Sequence, residues 1–200
     1  MSDKTTFASL FVLGAAIALV GDAGHVDSGI TEYLWDDVPA IWKSAIWFPI
    51  LVGGAIAGAG WLGSKIGPQT LSRDRRDALI GAALVLALYC LTSVVADGSL
   101  IVANGICWAL ALAFWLWWDP SLKALAFALI TVVVGPAAEI LMVELGASQY
   151  LPGHDQLLGV APWLMPLYFA VGALLSGVWT ALQTAPAQPP AQSPAQAANR

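Results

Sequence analysis

The chain has 200 residues, of which 58% are hydrophobic and only 10% are charged. A soluble domain contains about 45–50% apolar and about 25% charged residues, so this composition excludes an ordinary water-soluble fold and indicates a membrane protein. The net charge is −5 and the chain contains no extended basic run, which excludes nucleic acid as a partner.

Six apolar runs follow one another along the chain, and each approaches the roughly 20 residues that a helix needs to cross about 30 Å of hydrocarbon. They cover roughly residues 6–21, 44–63, 78–96, 99–118, 122–143 and 162–182. The first has a short core, residues 7–20, that resembles the apolar region of a signal peptide, but no good cleavage site follows it. We therefore predict an all-α, polytopic membrane protein with six transmembrane helices.

The basic residues predict the orientation of these spans. If all six runs cross the membrane, seven of the eight basic residues lie on one side, namely Lys4, Lys65, Arg73, Arg75, Arg76, Lys123 and Arg200. Positive residues favour the cytoplasmic side, so we predict a multi-pass protein of the cell membrane with both termini in the cytoplasm. A model with five spans breaks this agreement.

The chain divides into two parts by composition. Residues 1–183 contain the six runs and are predicted to form one transmembrane domain. Residues 184–200 are rich in proline, alanine and glutamine and have no hydrophobic period, which predicts a disordered cytoplasmic tail.

Small residues in the second run predict close contact between helices. Gly54 and Gly58 form a GxxxG step, and Gly53, Ala57 and Gly60 widen the flat face. Such faces let two backbones approach each other within one chain or between chains, and packing within the chain is the commoner use in a polytopic protein. A homo-oligomer such as a trimer is compatible with the same pattern.

Glu139 is the one ionisable residue deep within a predicted span. A carboxyl group facing lipid is costly, so we expect it to face the bundle or a polar cavity, although an interhelical hydrogen bond or a position near the interface would also explain it. Gly135 and Pro136 lie one turn earlier, where proline removes a backbone hydrogen bond and bends the helix. The fifth helix is therefore the one expected to line a pocket.

The fourth run ends in FWLWWDPS (114–121), in which tryptophans precede an acid and a proline. Tryptophan rings are typical of the membrane boundary. Asp119 is expected to cap the next helix, with Pro120 in its first turn.

Several motifs together resemble the Insig proteins, the sterol sensors of the endoplasmic reticulum. They are LWWDPS (116–121), WFPILVG (47–53), SQY (148–150), PWLMP (162–166) and the P-x-x-F-x-x-G spacing of Pro166, Phe169 and Gly172. Their order and spacing agree with the family over roughly residues 42–182. The paired cysteines of the family are absent, since Leu51 and Val52 stand there, and the tail carries no retrieval signal to the endoplasmic reticulum. The alanine-rich composition fits a bacterial relative.

The resemblance implies a fifth helix surrounded by the others and a central cavity that accepts a sterol or a diacylglycerol-like lipid. It matches Asp119, beside Trp118, to the cytoplasmic aspartate that the family uses in partner interaction, and it places Glu139 near a polar position that faces the ligand. Bacteria seldom contain the sterol-regulated partner Scap, so a Scap-like partner is not expected. The residues expected to line the lipid cavity are Glu139, Gly135, Pro136, Thr131, Ser93, Asn104, Tyr89, Trp108 and Tyr168.

Other functions remain as alternatives. A small proton-coupled transporter could use Glu139, although transporters usually show an inverted repeat and several buried polar groups. A tryptophan-rich sensor of the TspO type has five spans, which conflicts with the charge pattern. An enzyme is not expected, because His25 and His154 lie in different predicted loops and form neither a zinc site nor an acid–base pair within a span. No cofactor and no metal site is predicted.

Overall fold

A computed structural model describes residues 1–35, 37–67, 69–96 and 98–186. The predicted tail, 184–200, lies outside the described residues from position 187 onward. The helices are α1 (Asp3–Asp27), α2 (Trp47–Lys65), α3 (Arg75–Val95), α4 (Leu100–Trp118), α5 (Leu122–Glu144), α6 (Leu164–Leu175) and α7 (Val178–Gln183). The helices α1 to α5 are each long and apolar enough to cross a membrane. The prediction of a mostly helical, multi-pass membrane protein is confirmed.

The sixth predicted run forms two shorter helices in place of one long one. Helix α6 ends at Leu175, and α7 begins at Val178 after Ser176 and Gly177. The backbone of Gly177 has φ −146° and ψ −7°, which is not helical and separates the two axes. The sequence of this region is apolar on both sides of the break, so hydropathy alone could not reveal it.

Helix α6 is the centre of the bundle, and the expected central position of the fifth helix is wrong. Nine of the twelve residues of α6 are buried, and this helix contacts α2, α3, α4 and α5. Helix α5 packs mainly on α6 and exposes most of the opposite face, including Ile130 and Val133. Exposed apolar side chains are suitable in a helix that faces lipid tails, so proline and glycine within α5 did not indicate a central helix.

Helices α1 and α2 approach each other closely. A methyl group added at Gly53 would lie 2.7 Å from the carbonyl oxygen of Phe11, so only glycine permits this contact. Gly54 and Gly58, in contrast, have no atom within 4 Å of such a methyl group. The small residues of α2 therefore form two faces, one that packs on α1 and one that points away from the bundle.

Short strands close one end of the bundle. Strand β1 (Thr31–Tyr33) pairs in antiparallel register with β4 (Ser148–Tyr150), so that Thr31 faces Tyr150 and Tyr33 faces Ser148. A second antiparallel pair joins β2 (Ala40–Ile41) to β3 (Ser44–Ala45). The β1–β4 pair links the loop after α1 to the loop after α5. We call this end the strand end, and the opposite end, where Arg73, Arg75 and Arg76 lie, the basic end.

Candidate functional site

An apolar cavity of about 90 Å³ lies inside the bundle, mainly between α1, α2, α3 and α6. Its walls carry large aliphatic side chains of each of these helices, for example Leu10, Ile17, Ile56, Val85, Leu167 and Val171. Helix α5 contributes only Glu139 to the lining. A lining of this polarity is suited to hydrocarbon.

Glu139 lies at the polar limit of this cavity. Only 8% of the residue is exposed, and its Oε1 accepts a hydrogen bond of 2.9 Å from the phenol of Tyr168 on α6. Tyr168 reaches it by lying against Gly135, where a methyl group would be 2.3 Å from the ring. The hydroxyl of Thr131 donates to the backbone oxygen of Tyr168 at 2.8 Å and fixes α6 to α5. Thr131 and Gly135 therefore position the pair without lining the cavity.

A small polar chamber of about 20 Å³ lies beneath the strands and adjoins the apolar cavity. Phe48, Tyr89 and Glu139 line both spaces, so they form the boundary between them. The remaining lining of the chamber consists of Asp22, His25, Thr31, Glu32, Tyr33, Ser148 and Tyr150. The two neighbouring spaces therefore differ in polarity, and the polar one lies at the strand end.

Two phenols of the chamber come from the strands. Tyr33 donates a hydrogen bond of 2.7 Å to Oδ2 of Asp22, and burial followed by the nearby Asp22 carboxylate raises the pKa of Tyr33 above its usual value. Burial and the nearby Glu139 likewise raise the pKa of Tyr150. Both phenols therefore stay protonated, and each keeps a hydroxyl hydrogen that it can donate.

His25 is the most enclosed polar residue of the chamber, with 2% of its surface exposed. Its ring lies between those of Tyr89 and Trp163, at centroid distances of 4.9 and 4.7 Å. The Thr92 hydroxyl donates to the Tyr89 carbonyl oxygen, so at its contact of 2.8 Å it accepts the hydrogen of His25 Nε2. Among the described residues, no group of three histidine, cysteine or acidic side chains could hold a metal ion.

The structure brings together three of the residues expected to line the cavity, namely Glu139, Tyr89 and Tyr168. Pro136 is buried next to Gly135. The hydroxyl of Ser93 donates to the Cys90 carbonyl oxygen at 2.7 Å, and the amide of Asn104 donates to the Leu100 carbonyl oxygen at 2.9 Å. Trp108 packs edge-on against Phe169, with centroids 5.5 Å apart. These last three residues lie outside the lining of both spaces.

Sequence reasoning missed the polar residues that α1 brings to the site. The first apolar run ends at residue 21, whereas α1 continues to Asp27 and carries Asp22 and His25 on its buried face. Gly21 marks this face, because a methyl group there would lie 2.0 Å from the Tyr89 ring. Small or polar residues recur at positions 14, 18, 21, 22 and 25 and mark one inner face of a helix longer than the apolar run.

At the basic end, Asp119 is fully buried and does not cap α5. The N-cap is Ser121, whose hydroxyl accepts from the Ala124 backbone at 3.1 Å, so the expected capping role of Asp119 is wrong. Asp119 Oδ2 instead accepts from the Ser121 hydroxyl at 3.0 Å and from the Thr70 backbone at 3.4 Å. The aspartate therefore joins the loop after α2 to the turn between α4 and α5.

Trp118 is equally enclosed, with no exposed surface. Arg73 donates from Nε to its carbonyl oxygen at 2.9 Å and also hydrogen-bonds the Trp117 carbonyl oxygen, while the guanidinium lies 4.8 Å from the centre of the Trp117 ring. Asp119 and Trp118 thus form the interior of a packed corner, and in this conformation neither presents a surface to a protein partner.

Comparison with known proteins identifies relatives of this chain, although no family model matches the sequence. A curated protein of Mycolicibacterium vanbaalenii, described as an INSIG protein homolog, is 41% identical over 165 residues, which are 82% of this chain and 80% of the relative.

Two solved structures are similar throughout. The crystal structure of MvINS, a mycobacterial Insig homolog from Mycobacterium vanbaalenii, has a TM-score of 0.83 and 38% identity, over 89% of this chain and 93% of that one. A cross-linked trimer of an arginine-to-cysteine variant of MvINS has a TM-score of 0.85 and 36% identity, over 92% and 97% of the two chains. By sequence and by structure alike, this chain belongs to the Insig family of membrane proteins.

Proposed function

We propose that this Insig-family protein is a non-catalytic lipid-binding protein, which holds a sterol or a diacylglycerol-like lipid in the central cavity. The observation that carries this proposal is that the two spaces adjoin each other. The apolar cavity is lined by Glu139 and its partner Tyr168, and Glu139 also lines the neighbouring chamber, whose other side chains are mostly polar. An amphipathic ligand with one small polar head has the matching distribution of polarity.

Each side chain around the two spaces would make a different contact with such a ligand. The carboxyl group of Glu139 would accept a hydrogen bond from a ligand hydroxyl. Tyr150, which stays protonated, would donate to a ligand oxygen, whereas Tyr33 donates to Asp22 and its oxygen could accept from a ligand hydroxyl. The aliphatic walls of α1, α2, α3 and α6 would surround the hydrocarbon part of the ligand. The ligand hydroxyl would give the Glu139 carboxyl group a hydrogen-bond partner, since an unpaired acid within a membrane is costly.

The orientation of the protein is part of the same proposal. The basic end contains Arg73, Arg75, Arg76 and Lys123, and positive residues favour the cytoplasmic side. We therefore place the protein in the cell membrane with both termini in the cytoplasm and with the polar chamber near the opposite surface. The tryptophans at the end of α4 then lie at the cytoplasmic boundary.

We also propose that the protein is a homo-oligomer, with a trimer as the expected form. The cross-linked trimer of the similar protein MvINS supports this arrangement. The outward face of α2, where Gly54 and Gly58 have open space beside them, offers a flat surface of the kind that transmembrane helices use for contact.

The experiment that tests the proposed function is mass spectrometry of lipid retained through purification in a mild detergent. Ile17→Trp adds volume to the cavity wall, and Ile130→Trp adds the same volume to the exposed face of α5 as a matched control. We expect the first variant to lose a lipid class that the wild type and the control retain. Glu139→Gln should weaken retention with little change in volume, since it replaces the carboxyl group that the ligand hydroxyl contacts.

Two results would contradict the proposal. Retention of the same lipid by Ile17→Trp and by the wild type would place the lipid outside the cavity. Proton-coupled uptake of a solute into proteoliposomes, abolished by Glu139→Gln, would instead support a transporter.

A further inference from the structure

A second groove lies on the outside of the bundle, between the halves of α1 and α3 nearest the basic end. It has a volume of about 590 Å³ and is open to its surroundings. Val12, Leu13, Leu79 and Leu182 form most of its apolar wall. Val12 is 65% exposed and Leu79 is 53% exposed, so this wall faces the membrane rather than the core.

Positive charge is concentrated at one end of this groove. Arg75 and Met1, with its terminal amine, both line it. Lys4 lies on the same face of α1, three residues after Met1 and four before Ala8. Both α1 and α3 begin at this end, so the positive ends of their helix dipoles point to the same place.

The guanidinium group of Arg75 uses only one of its nitrogen atoms in a hydrogen bond among the described residues. Its Nε donates to the Leu182 carbonyl oxygen at 3.1 Å, which holds the group beside the groove. In the described part of the chain, no acceptor or carboxylate pairs with its two terminal amino groups. The nearby acids have other partners, since Asp3 accepts from Gln183 at 2.9 Å and Asp77 lies 3.9 Å from Arg73.

We propose that this groove binds one anionic glycerophospholipid from the leaflet that surrounds the basic end. Its phosphate accepts hydrogen bonds from the free amino groups of Arg75, because guanidinium and phosphate match in charge and in geometry. An acyl chain lies along Val12 and Leu79. This site is separate from the central cavity and does not depend on a lipid there.

Charge complementarity favours this occupant over a second copy of the chain. A transmembrane helix could fill the apolar wall, but it would leave the cationic end without a partner unless it supplied an acid at the same depth. A zwitterionic lipid fills the wall equally well and carries an opposing positive charge next to Arg75. An anionic lipid satisfies both parts of the groove.

The test is native mass spectrometry of protein reconstituted with equal amounts of phosphatidylglycerol and phosphatidylcholine of identical acyl chains. The wild type should retain one phosphatidylglycerol. Arg75→Gln should reduce this retention about tenfold, since it removes a charge-assisted contact and can keep the bond to Leu182. Arg76→Gln is the matched control, because it removes the same charge from the neighbouring exposed position.

A third variant tests the apolar wall. Leu79→Trp fills the groove, leaves every charge in place and should also lower phosphatidylglycerol retention about tenfold. Equal effects of Arg75→Gln and Arg76→Gln would overturn the proposal in favour of diffuse electrostatic attraction. Equal retention of both lipids would overturn it in favour of apolar contact without selection of the head group. Loss of the oligomer in Leu79→Trp would overturn it in favour of a second copy. Lipid in the central cavity should be unaffected by Arg75→Gln, which separates this test from that of the proposed function.

Discussion

Two buried acids, one toward each end of the molecule, have different surroundings. Glu139, toward the strand end, is 8% exposed and lies next to empty space. Asp119, at the basic end, is fully buried among packed groups, and its Oδ2 accepts from the Thr70 backbone and the Ser121 hydroxyl. Both positions attract attention in the sequence as acids near or within apolar runs.

This difference assigns a separate role to each acid. A buried acid beside a cavity can exchange its partners when a ligand enters, whereas an acid enclosed by backbone donors fixes those donors in place. Substitution at Asp119 should therefore affect folding, and substitution around Glu139 should mainly affect binding.

Asp119→Ala should cause the largest loss of stability. The change removes the acceptor of the Thr70 backbone and of the Ser121 hydroxyl, and each buried donor without a partner costs about 1–3 kcal/mol. We expect a lower melting temperature in detergent together with unchanged lipid retention per folded molecule. A variant that melts like the wild type would show that the corner does not depend on this carboxylate.

Gly135→Ala should cost about 1–3 kcal/mol, because the added methyl group would lie 2.3 Å from the Tyr168 ring and must displace it. Displacement of Tyr168 also breaks its bond to Glu139, so lipid retention should fall together with the melting temperature. Gly105→Ala in α4 provides the control, since its methyl group meets nothing within 4 Å. Equal melting temperatures for the two variants would contradict the close packing of α5 on α6.

Tyr168→Phe should have a smaller effect on stability. It removes one hydrogen bond to Glu139, which contributes about 0.5–1.5 kcal/mol when neither partner is charged. Because the ring remains against Gly135, the packing of α5 on α6 should be preserved. The informative measurement is lipid retention, which should fall more than the melting temperature does. The reverse order would indicate that the pair serves packing alone.

Asp119→Asn should have the smallest effect, within about 0.5 kcal/mol. The amide oxygen can accept both bonds made by Oδ2, and the new amino group takes the place of Oδ1, which has no partner among the described residues. Circular dichroism melting curves of the wild type and the variant should nearly coincide. A large destabilisation would show that the negative charge itself is required, for example by the nearby basic side chains.

The sequence predicts where the helices lie along the chain but not how they pack against one another. Hydropathy located α1 to α5 because each apolar run has the length that a membrane requires. It could not identify the central helix, because a side chain that faces lipid and one that faces protein are equally apolar. Inward-facing small residues such as Gly172 distinguish α6, but glycines of the same kind occur in α2 on both faces.

A site residue could be predicted where a polar or charged side chain interrupts an apolar run. Glu139 is such a residue, and it lines the cavity together with Tyr89 and Tyr168. Ser93 and Asn104 are such residues too, yet their side chains bond backbone oxygens of their own helices. A hydroxyl or an amide can satisfy itself in this way whereas a carboxylate cannot donate, so the acid was the more reliable indicator.

The position of α6 has a consequence for biosynthesis. The helix on which α2, α3, α4 and α5 meet is made after all of them, since it begins at Leu164. Until it leaves the ribosome, these earlier helices can insert into the bilayer but lack the partner that they share. A chain that stops before this helix should therefore be inserted yet remain loosely associated and become a substrate for membrane quality control.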